Sequence, residues 1–132
     1  MKLFRFEAVQ VIPAPIEKVW GFFSDPRNLK ILTPPYMGFD ILTPVSAQME
    51  AGLIIEYTVR PLFGIPMQWV TEITHVAPLH FFVDEQRFGP YRFWHHRHEF
   101  EPIAGGVRMV DLVHYALPLP VLESTLHRWL VR

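Results

Sequence analysis

Two histidines separated by one residue, His96 and His98, stand between two large aromatic residues, Trp94 and Phe100. Successive side chains of a β-strand point to opposite faces of a sheet, so in a strand these four residues share one face. An imidazole changes its charge near neutral pH and can also bind metal ions. Burying two imidazoles among aromatic rings is unfavourable unless each has a hydrogen-bonding partner. The spacing therefore predicts a polar site on an otherwise apolar face.

The partners of the histidines can be predicted from the next strand. Residues 102–106 have the composition of a turn, and the alternating residues 107–117 predict a returning strand. A register that keeps both faces chemically coherent opposes four pairs: Phe100 to Val107, His98 to Met109, His96 to Asp111 and Trp94 to Val113.

The preceding strand, residues 80–88, extends the same face across a turn at residues 89–91. Its side chains on that face would be Phe82, Asp84, Gln86 and Phe88. Five polar groups are therefore expected to converge within an apolar frame: Asp84, Gln86, His96, His98 and Asp111. Because unpaired burial of such groups is costly, we expect Asp84, His96 and Asp111 to form one hydrogen-bonded group.

Three interpretations of the two histidines follow from the sequence. They can be paired core residues that fix the strand register. Alternatively, Asp111 orients His96, which then transfers a proton to or from a ligand, making His96 and Asp111 the catalytic candidates. As a third possibility, both imidazoles bind one metal ion, with Asp84 or Asp111 as a further ligand. The spacing to Glu99 and Gly105 does not complete a cupin-type metal pattern, so the sequence favours no metal and no cofactor.

Other polar and aromatic residues are more readily assigned to the lining of a cavity than to catalysis. No serine lies in a glycine-flanked nucleophile motif, and no phosphate-binding loop occurs. The predicted ligand-binding residues are Tyr57, Trp69, Asp84, Gln86, Trp94, His96, His98, Asp111 and Tyr115.

The composition is that of one globular domain, residues 1–132. Half of the residues are hydrophobic, 14% are aromatic and 19% are charged, with a net charge of -1, which makes a large apolar interior possible and nucleic acid an improbable partner. The chain has no cysteine, which excludes disulfides and thiolate catalysis. No apolar run reaches the length of a membrane span. We expect a cytoplasmic protein without stable membrane insertion.

The elements that must position these residues can be predicted from periodicity. Residues 3–12 alternate as a strand, Pro15 begins a helix with apolar residues at helical spacing, and an Asp25-Pro26 pair begins a second short helix, residues 25–32. Six more strands follow, at residues 39–43, 53–60, 67–75, 80–88, 92–101 and 107–117. Because their connections are short, we expect them to be antiparallel. Residues 122–130 return to helical spacing.

In this order of elements, the chain resembles the START-like (SRPBCC) superfamily, which includes birch-pollen-allergen-like and polyketide-cyclase-like proteins. The resemblance rests on residues 15–20, 25–26, 69–73, 100–102 and 105–106, and extends over essentially the whole chain. It implies an α+β helix-grip fold, in which a curved seven-stranded antiparallel sheet holds a C-terminal helix over its concave face.

The resemblance also implies a deep cavity for an apolar or amphipathic small molecule. Within the superfamily, the chain resembles an uncharacterised bacterial subgroup of ligand-binding type. This resemblance rests on Asp84, Gln86, residues 89–90, Trp94, His96, His98, Phe100, Asp111 and residues 115–118. Small-molecule binding is therefore the leading functional hypothesis. The alternatives are a cyclase, dehydratase or isomerase that uses the His96–Asp111 pair, and a protein-interaction domain similar to co-chaperone relatives.

The final helix is shorter than the resemblance implies. A helix of about ten residues is roughly 15 Å long, too short to cover strands of similar residue count. We therefore predict that the natural polypeptide continues beyond Arg132. The alternative is that a second copy covers the open face, as a homodimer or through a swapped helix.

Overall fold

The computed structural model describes residues 2–28, 31, 38–44, 48–60 and 64–117. Within them lie one α-helix, α1 (Ile16–Phe23), one short 3-10 helix (Pro26–Asn28) and seven strands. The strands are β1 (Phe4–Ile12), β2 (Asp40–Ile41), β3 (Ile54–Val59), β4 (Met67–Ala77), β5 (Phe81–Phe88), β6 (Phe93–Ile103) and β7 (Gly106–Ala116). No helix within these ranges combines the length and apolar character needed to cross a membrane.

The strands form one curved sheet in the order β1-β7-β6-β5-β4-β3-β2, and every neighbouring pair is antiparallel. Strands β2 to β7 follow one another as a meander, while β1 closes onto β7. The predicted seven-stranded antiparallel sheet is therefore confirmed. Short turns connect the meander, as expected for strands that pair with their neighbours in sequence.

Helix α1 covers one end of the sheet and defines the inner face. Pro15 is its N-cap residue, where the missing amide proton has no cost, and the apolar side of the helix faces the strands. Trp20 meets Phe82 and Phe100 edge-on, with ring centroids 5.9 and 5.2 Å apart. Because Phe100 shares its face with His96 and His98, the predicted polar site lies on the side of the sheet that α1 covers.

The structure describes the second predicted helix, residues 25–32, only at residues 25–28 and at Ile31, which is helical. Asp25 acts as its cap, since one carboxylate oxygen accepts a hydrogen bond from the Arg27 amide at 2.9 Å. The helix that follows is the 3-10 helix Pro26–Asn28. Residues 29–30 and 32–37 lie outside the described part of the chain.

The register between β6 and β7 differs by two residues from the prediction. Phe100 pairs with Met109 and His98 pairs with Asp111, because the hairpin turns at residues 104–105 instead of using a five-residue loop. Gly105 has φ 81°, a conformation that glycine adopts without strain. A shift of two residues preserves the faces, so every side chain assigned to the inner face of these strands stays there.

Two irregularities bend the sheet between β4 and β5. One lies between the pairs Val70–Phe88 and Thr71–Gln86, where β5 contains one additional residue. Such a bulge reverses the alternation of the strand beyond it. The prediction for Phe88 is wrong for this reason: Phe88 pairs with Val70 and is 61% exposed instead of joining the inner face.

Gly106 permits β1 to approach the β6–β7 hairpin. A Cβ atom at this position would lie 2.2 Å from the Ile12 carbonyl oxygen. We expect Gly106→Ala to lower the free energy of unfolding by about 1–3 kcal/mol, because the backbone must move to relieve this overlap. Urea denaturation measures the change. Gly21→Ala is the control: no described atom lies within 4 Å of the added methyl, and alanine in this helix should be neutral or stabilising.

Residues 118–132, which contain the predicted C-terminal helix, lie outside the described part of the chain. The coverage of the inner face by this helix, by residues beyond Arg132 or by a second copy therefore stays a prediction.

Candidate functional site

A polar band crosses the inner face between two apolar clusters. Strand β6 passes from one apolar cluster through the polar band to the other. Phe100 belongs to the apolar cluster under α1, and Trp94 packs against the second apolar cluster. His98 and His96 lie between them on the same face. The same order recurs on β7, where Asp111 lies between Met109 and Val113. Because each strand changes from apolar to polar to apolar at the same level, the polar residues meet in the middle of the sheet.

Four side chains form what we call the polar cluster: Asp84, His96, His98 and Asp111. Asp84 lies directly opposite His96 on β5, and Asp111 lies directly opposite His98 on β7. The hydrogen bonds run both across and along the strands. His98 Nε2 is 2.7 Å from Asp84 Oδ2, while His98 Nδ1 lies 3.2 Å and His96 Nε2 2.9 Å from Asp111 Oδ1. The structure thus unites Asp84, His96 and Asp111, and His98 is a full member of the group.

His98 is held as an imidazolium between two carboxylates. A carboxylate only accepts hydrogen bonds, so both ring nitrogens of His98 carry protons when they bond to Asp84 and Asp111. Burial lowers the pKa of His98, but these hydrogen bonds and the negative charges outweigh it and raise the pKa to about 9. At neutral pH, this imidazole is therefore positively charged.

His96 has the opposite character. Burial and the positive charge of His98, whose ring is stacked at a centroid distance of 3.6 Å, lower the pKa of His96. The Nε2 atom donates to Asp111, so in the neutral ring the Nδ1 atom carries the lone pair. Nδ1 lies 3.9 Å from Asp84 Oδ2, beyond hydrogen-bond distance. The cluster therefore contains one basic nitrogen with a fixed orientation.

Both carboxylates remain ionised. Burial raises the pKa of Asp84, but its hydrogen bond from His98 and the charges of both imidazoles lower it overall, with a smaller contribution from Trp94. The pKa of Asp111 is lowered in the same way, against burial, by hydrogen bonds from both imidazoles. With His98 charged and His96 neutral, the polar cluster has a net charge of -1 at neutral pH.

An aromatic cluster adjoins the polar cluster on the inner face. Its members are Phe39, Tyr57, Trp69, Tyr91 and Trp94. Trp94 connects the two groups, since its ring lies edge-on to Trp69 at 5.3 Å and to His96 at 6.2 Å. The buried Trp69 Nε1 is a donor for which the described residues provide no hydrogen-bond acceptor. A buried donor of this kind is suited to an acceptor from water or a ligand.

Two predicted ligand-binding residues have structural partners. Gln86 accepts a hydrogen bond from the Tyr91 amide at 3.0 Å and donates one to the Tyr91 carbonyl at 2.6 Å, so its amide holds the β5–β6 connection in place. Tyr115 is fully buried and stacks on Phe4 at 5.5 Å, which makes packing its observed contribution.

Thr71 is a buried polar residue that the sequence analysis did not assign to the site. It lies on the inner face of β4 between Trp69 and Ile73, and its hydroxyl is 2.9 Å from the Tyr57 hydroxyl. Burial, followed by the charge of Asp84, raises the pKa of Tyr57, which therefore stays protonated. The signal in the sequence was the alternation of β4, in which a threonine occupies a position between two large apolar residues.

We expect Thr71→Val to lower the free energy of unfolding by about 1–3 kcal/mol, because it leaves the buried Tyr57 hydroxyl without this partner. Tyr57→Phe in the same chain should recover part of the loss, since both polar groups are then removed. A double-mutant cycle by urea denaturation measures the coupling between them. Strictly additive effects of the two substitutions would contradict the assignment of this hydrogen bond.

Two clefts lined by described residues lie outside the polar cluster. The larger, of about 440 Å³, separates the β1–α1 connection from the β6–β7 turn, and the other, of about 210 Å³, lies beside Arg97 and Arg108. Neither contains a residue of the polar or aromatic cluster. The chemistry of the inner face, and not the size of these clefts, therefore identifies the candidate site.

Known structures share this fold at low sequence identity. A START superfamily protein from Mycobacterium smegmatis is 13% identical, with 94% of this chain and 86% of that chain covered and a TM-score of 0.71. An aromatase/cyclase, Zhui, from a Streptomyces species is 15% identical, with 89% and 70% covered and a TM-score of 0.69. A Thermus thermophilus protein is 21% identical, with 94% and 82% covered and a TM-score of 0.67. These similarities establish the fold.

A search of curated proteins gave no match. The family model described as polyketide cyclase / dehydrase and lipid transport matches residues 12–128. This match includes α1, all strands from β2 onward and all members of both clusters. Because it extends over most of the chain, this match shows that the chain belongs to the polyketide cyclase/dehydrase and lipid transport family.

Proposed function

We propose that the protein binds an amphipathic small molecule on the inner face of the sheet. The apolar part of the ligand packs against the aromatic cluster, and its polar part meets the polar cluster. The observation that carries this proposal is the contact of Trp94 with both groups, since it makes one continuous surface of rings and hydrogen-bonding atoms. Such a combination is typical of small-molecule sites.

The available hydrogen-bonding atoms indicate how the ligand is oriented. His96 Nδ1 accepts a hydrogen bond, and the cluster as a whole is negatively charged, so the polar end of the ligand is a donor such as a hydroxyl group. Trp69 Nε1 offers a donor at the aromatic end. Binding of an anionic group at the polar cluster is disfavoured by repulsion from Asp84 and Asp111.

The family supports this proposal. Its description includes lipid transport as well as cyclase and dehydrase activity. One protein of similar fold is named an aromatase/cyclase. Lipids are largely apolar, so lipid transport requires an apolar surface of the kind that the aromatic cluster provides.

Native mass spectrometry of the freshly purified protein tests the proposal. We expect a fraction of the chains to carry one noncovalent molecule, which is then identified after extraction. Trp94→Ala should weaken ligand binding about 5- to 150-fold and lower the occupancy accordingly, because it removes the ring that contacts both clusters. Loss of one such ring costs a ligand about 1–3 kcal/mol.

Phe88→Ala provides the matched control. This variant removes an aromatic ring from β5 on the outer face, where it is 61% exposed, and should leave the occupancy unchanged. Equal loss of ligand in both variants, or full retention in Trp94→Ala, would contradict binding at the aromatic cluster.

Proton transfer to or from the ligand is the second candidate function. It is favoured by the fixed orientation of His96, whose Nε2 proton is committed to Asp111 and whose Nδ1 atom lies 3.9 Å from Asp84 Oδ2, beyond hydrogen-bond distance. This is the arrangement of a general base with an orienting carboxylate. Asp111 would then be a positioning residue.

Exchange in deuterium oxide distinguishes catalysis from binding. The extracted ligand, returned to wild-type protein in deuterium oxide, should gain mass at an acidic carbon faster than in buffer alone. His96→Asn should remove this exchange while ligand is still bound. Exchange at the wild-type rate in His96→Asn would eliminate His96 as the base.

A further inference from the structure

The four imidazole nitrogens of the polar cluster divide into two pairs. The outer pair, His96 Nε2 and His98 Nδ1, lies 2.9 and 3.2 Å from the same oxygen, Asp111 Oδ1. The inner pair, His96 Nδ1 and His98 Nε2, lies 3.9 and 2.7 Å from Asp84 Oδ2. The carboxylate of Asp111 therefore orients both imidazole rings, and the inner nitrogens of both rings face the carboxylate of Asp84.

We propose that Asp84 Oδ2, His96 Nδ1 and His98 Nε2 form a binding site for one divalent transition-metal ion such as zinc. Asp111 holds both imidazoles by their outer N–H groups. A carboxylate behind a metal-binding histidine fixes its tautomer and ring orientation, and here one carboxylate serves two histidines. The proposal revises the preference for no metal that the sequence indicated. Because the metal occupies His96 Nδ1, a ligand donor binds this nitrogen only in the metal-free protein, and in the metal-bound protein the ligand would meet the ion instead.

The distances fit such an ion after small rotations. The three donor atoms all lie within 4.8 Å of one another. Donors of a tetrahedral zinc site are roughly 3.3 Å apart, given bonds of about 2.0–2.1 Å. The separations of Asp84 Oδ2 from the two inner nitrogens, 2.7 and 3.9 Å, lie on either side of this value. The rings are stacked with an angle of 24° between their planes, so binding requires both rings to rotate about χ2, a broad torsion in histidine, until their nitrogens face one ion.

The charges and the surroundings also fit. With two neutral imidazoles, the charges of Asp84 and Asp111 sum to -2, and a divalent cation neutralises them within an apolar face. When the metal binds, His98 Nε2 releases its proton to solvent. Its hydrogen bond to Asp84 is then replaced by a bond to the metal. Three protein ligands leave a fourth position toward the inner face, where water or a ligand oxygen could complete the coordination.

Metal titration of the protein after chelator treatment tests this site. We expect one Zn²⁺ per chain by isothermal titration calorimetry, and one Co²⁺ per chain with visible absorption of a low-symmetry, four- or five-coordinate ion. His98→Asn should weaken Zn²⁺ binding at least 100-fold. Asp111→Asn keeps all three ligands and should weaken it about 10–100-fold, as expected for a residue that only positions them.

The outer face offers a matched control. His95 and His114 are cross-strand partners with ring centroids 6.5 Å apart, on the side of the sheet away from the polar cluster. The double variant His95→Asn, His114→Asn should retain one Zn²⁺ per chain. Loss of the metal from this variant, or unchanged affinity in His98→Asn, would overturn the proposal.

Nitrogen-15 NMR of histidine-labelled wild-type protein makes the test independent of variant folding. Zn²⁺ should shift Nδ1 of His96 and Nε2 of His98 to values of metal-bound nitrogens, with both outer nitrogens still protonated. Metal shifts confined to His95 and His114, or no shifts with Zn²⁺ in excess, would overturn the assignment.

Discussion

Asp111→Asn is expected to lower the free energy of unfolding by about 3 kcal/mol at pH 6.5. Asp111 Oδ1 accepts hydrogen bonds from both imidazoles, and its charge compensates the imidazolium of His98. Removing one member of a buried, hydrogen-bonded charge group leaves the others insufficiently compensated. Urea denaturation of metal-free protein measures the loss.

Glu99→Gln is the control for this experiment. Glu99 pairs with Arg97 on the outer face of β6, where both side chains are substantially exposed. Such surface pairs contribute little, so the expected change is within about 0.5 kcal/mol. If the two variants lost equal stability, the polar cluster would have no special energetic role.

The second large effect is a loss of stability at alkaline pH. The pKa of His98 is raised from about 6.5 in the unfolded chain to about 9 in the folded one, so the folded state binds the proton more tightly. Its contribution is fully present below pH 6.5 and disappears as the pH rises toward 9. The shift corresponds to roughly 3 kcal/mol.

The other members of the polar cluster affect the free energy of unfolding at lower pH. The pKa of His96 is lowered, so the unfolded chain binds its proton more tightly and stability declines as the pH falls below about 6.5. The lowered pKa values of Asp84 and Asp111 add a further loss when the carboxylates become protonated in strong acid. Stability should therefore be greatest near pH 6–7.

Comparing urea denaturation at pH 6.5 and pH 9 isolates the contribution of His98. The wild-type protein should lose roughly 3 kcal/mol between these values, and His98→Asn should lose much less. His95→Asn, altered on the outer face, should show the wild-type difference. A wild-type protein equally stable at both pH values would contradict the assignment of His98 as an imidazolium.

The antiparallel meander of β2 to β7 and the alternation of the two faces were predictable because they depend on local pattern, whereas the pairing of β1 with β7 joins distant segments and was not predicted. In β6, alternation placed Trp94, His96 and His98 on one face, and an error of two residues in register left that face unchanged. The exact hydrogen bonds were not predictable, since they depend on the compact turn around Gly105 and on diagonal contacts between strands. For this reason, the sequence did not reveal that His98 joins both carboxylates.

Departures from regular alternation limited the rest of the prediction. The additional residue in β5 places Phe88 on the outer face. The residue types in this strand do not indicate where such a bulge occurs, so it could not be predicted from the sequence. Alternation assigned Gln86 to the inner face, but its hydrogen-bonding partner is the backbone of Tyr91, which only the folded turn between β5 and β6 supplies. The position of Thr71, in contrast, could have been predicted. Because it alternates with Trp69 along β4, the sequence already places both side chains on the same face.

We propose that ligand binds on the inner face, where the polar and aromatic clusters meet. Nitrogen-15 NMR of histidine-labelled, metal-free protein, titrated with the ligand extracted after purification, tests this most directly. We expect the signals of His96 and His98 to change on binding while those of His95 and His114 do not. Changes confined to His95 and His114, or saturation of binding without any change at His96 and His98, would contradict it.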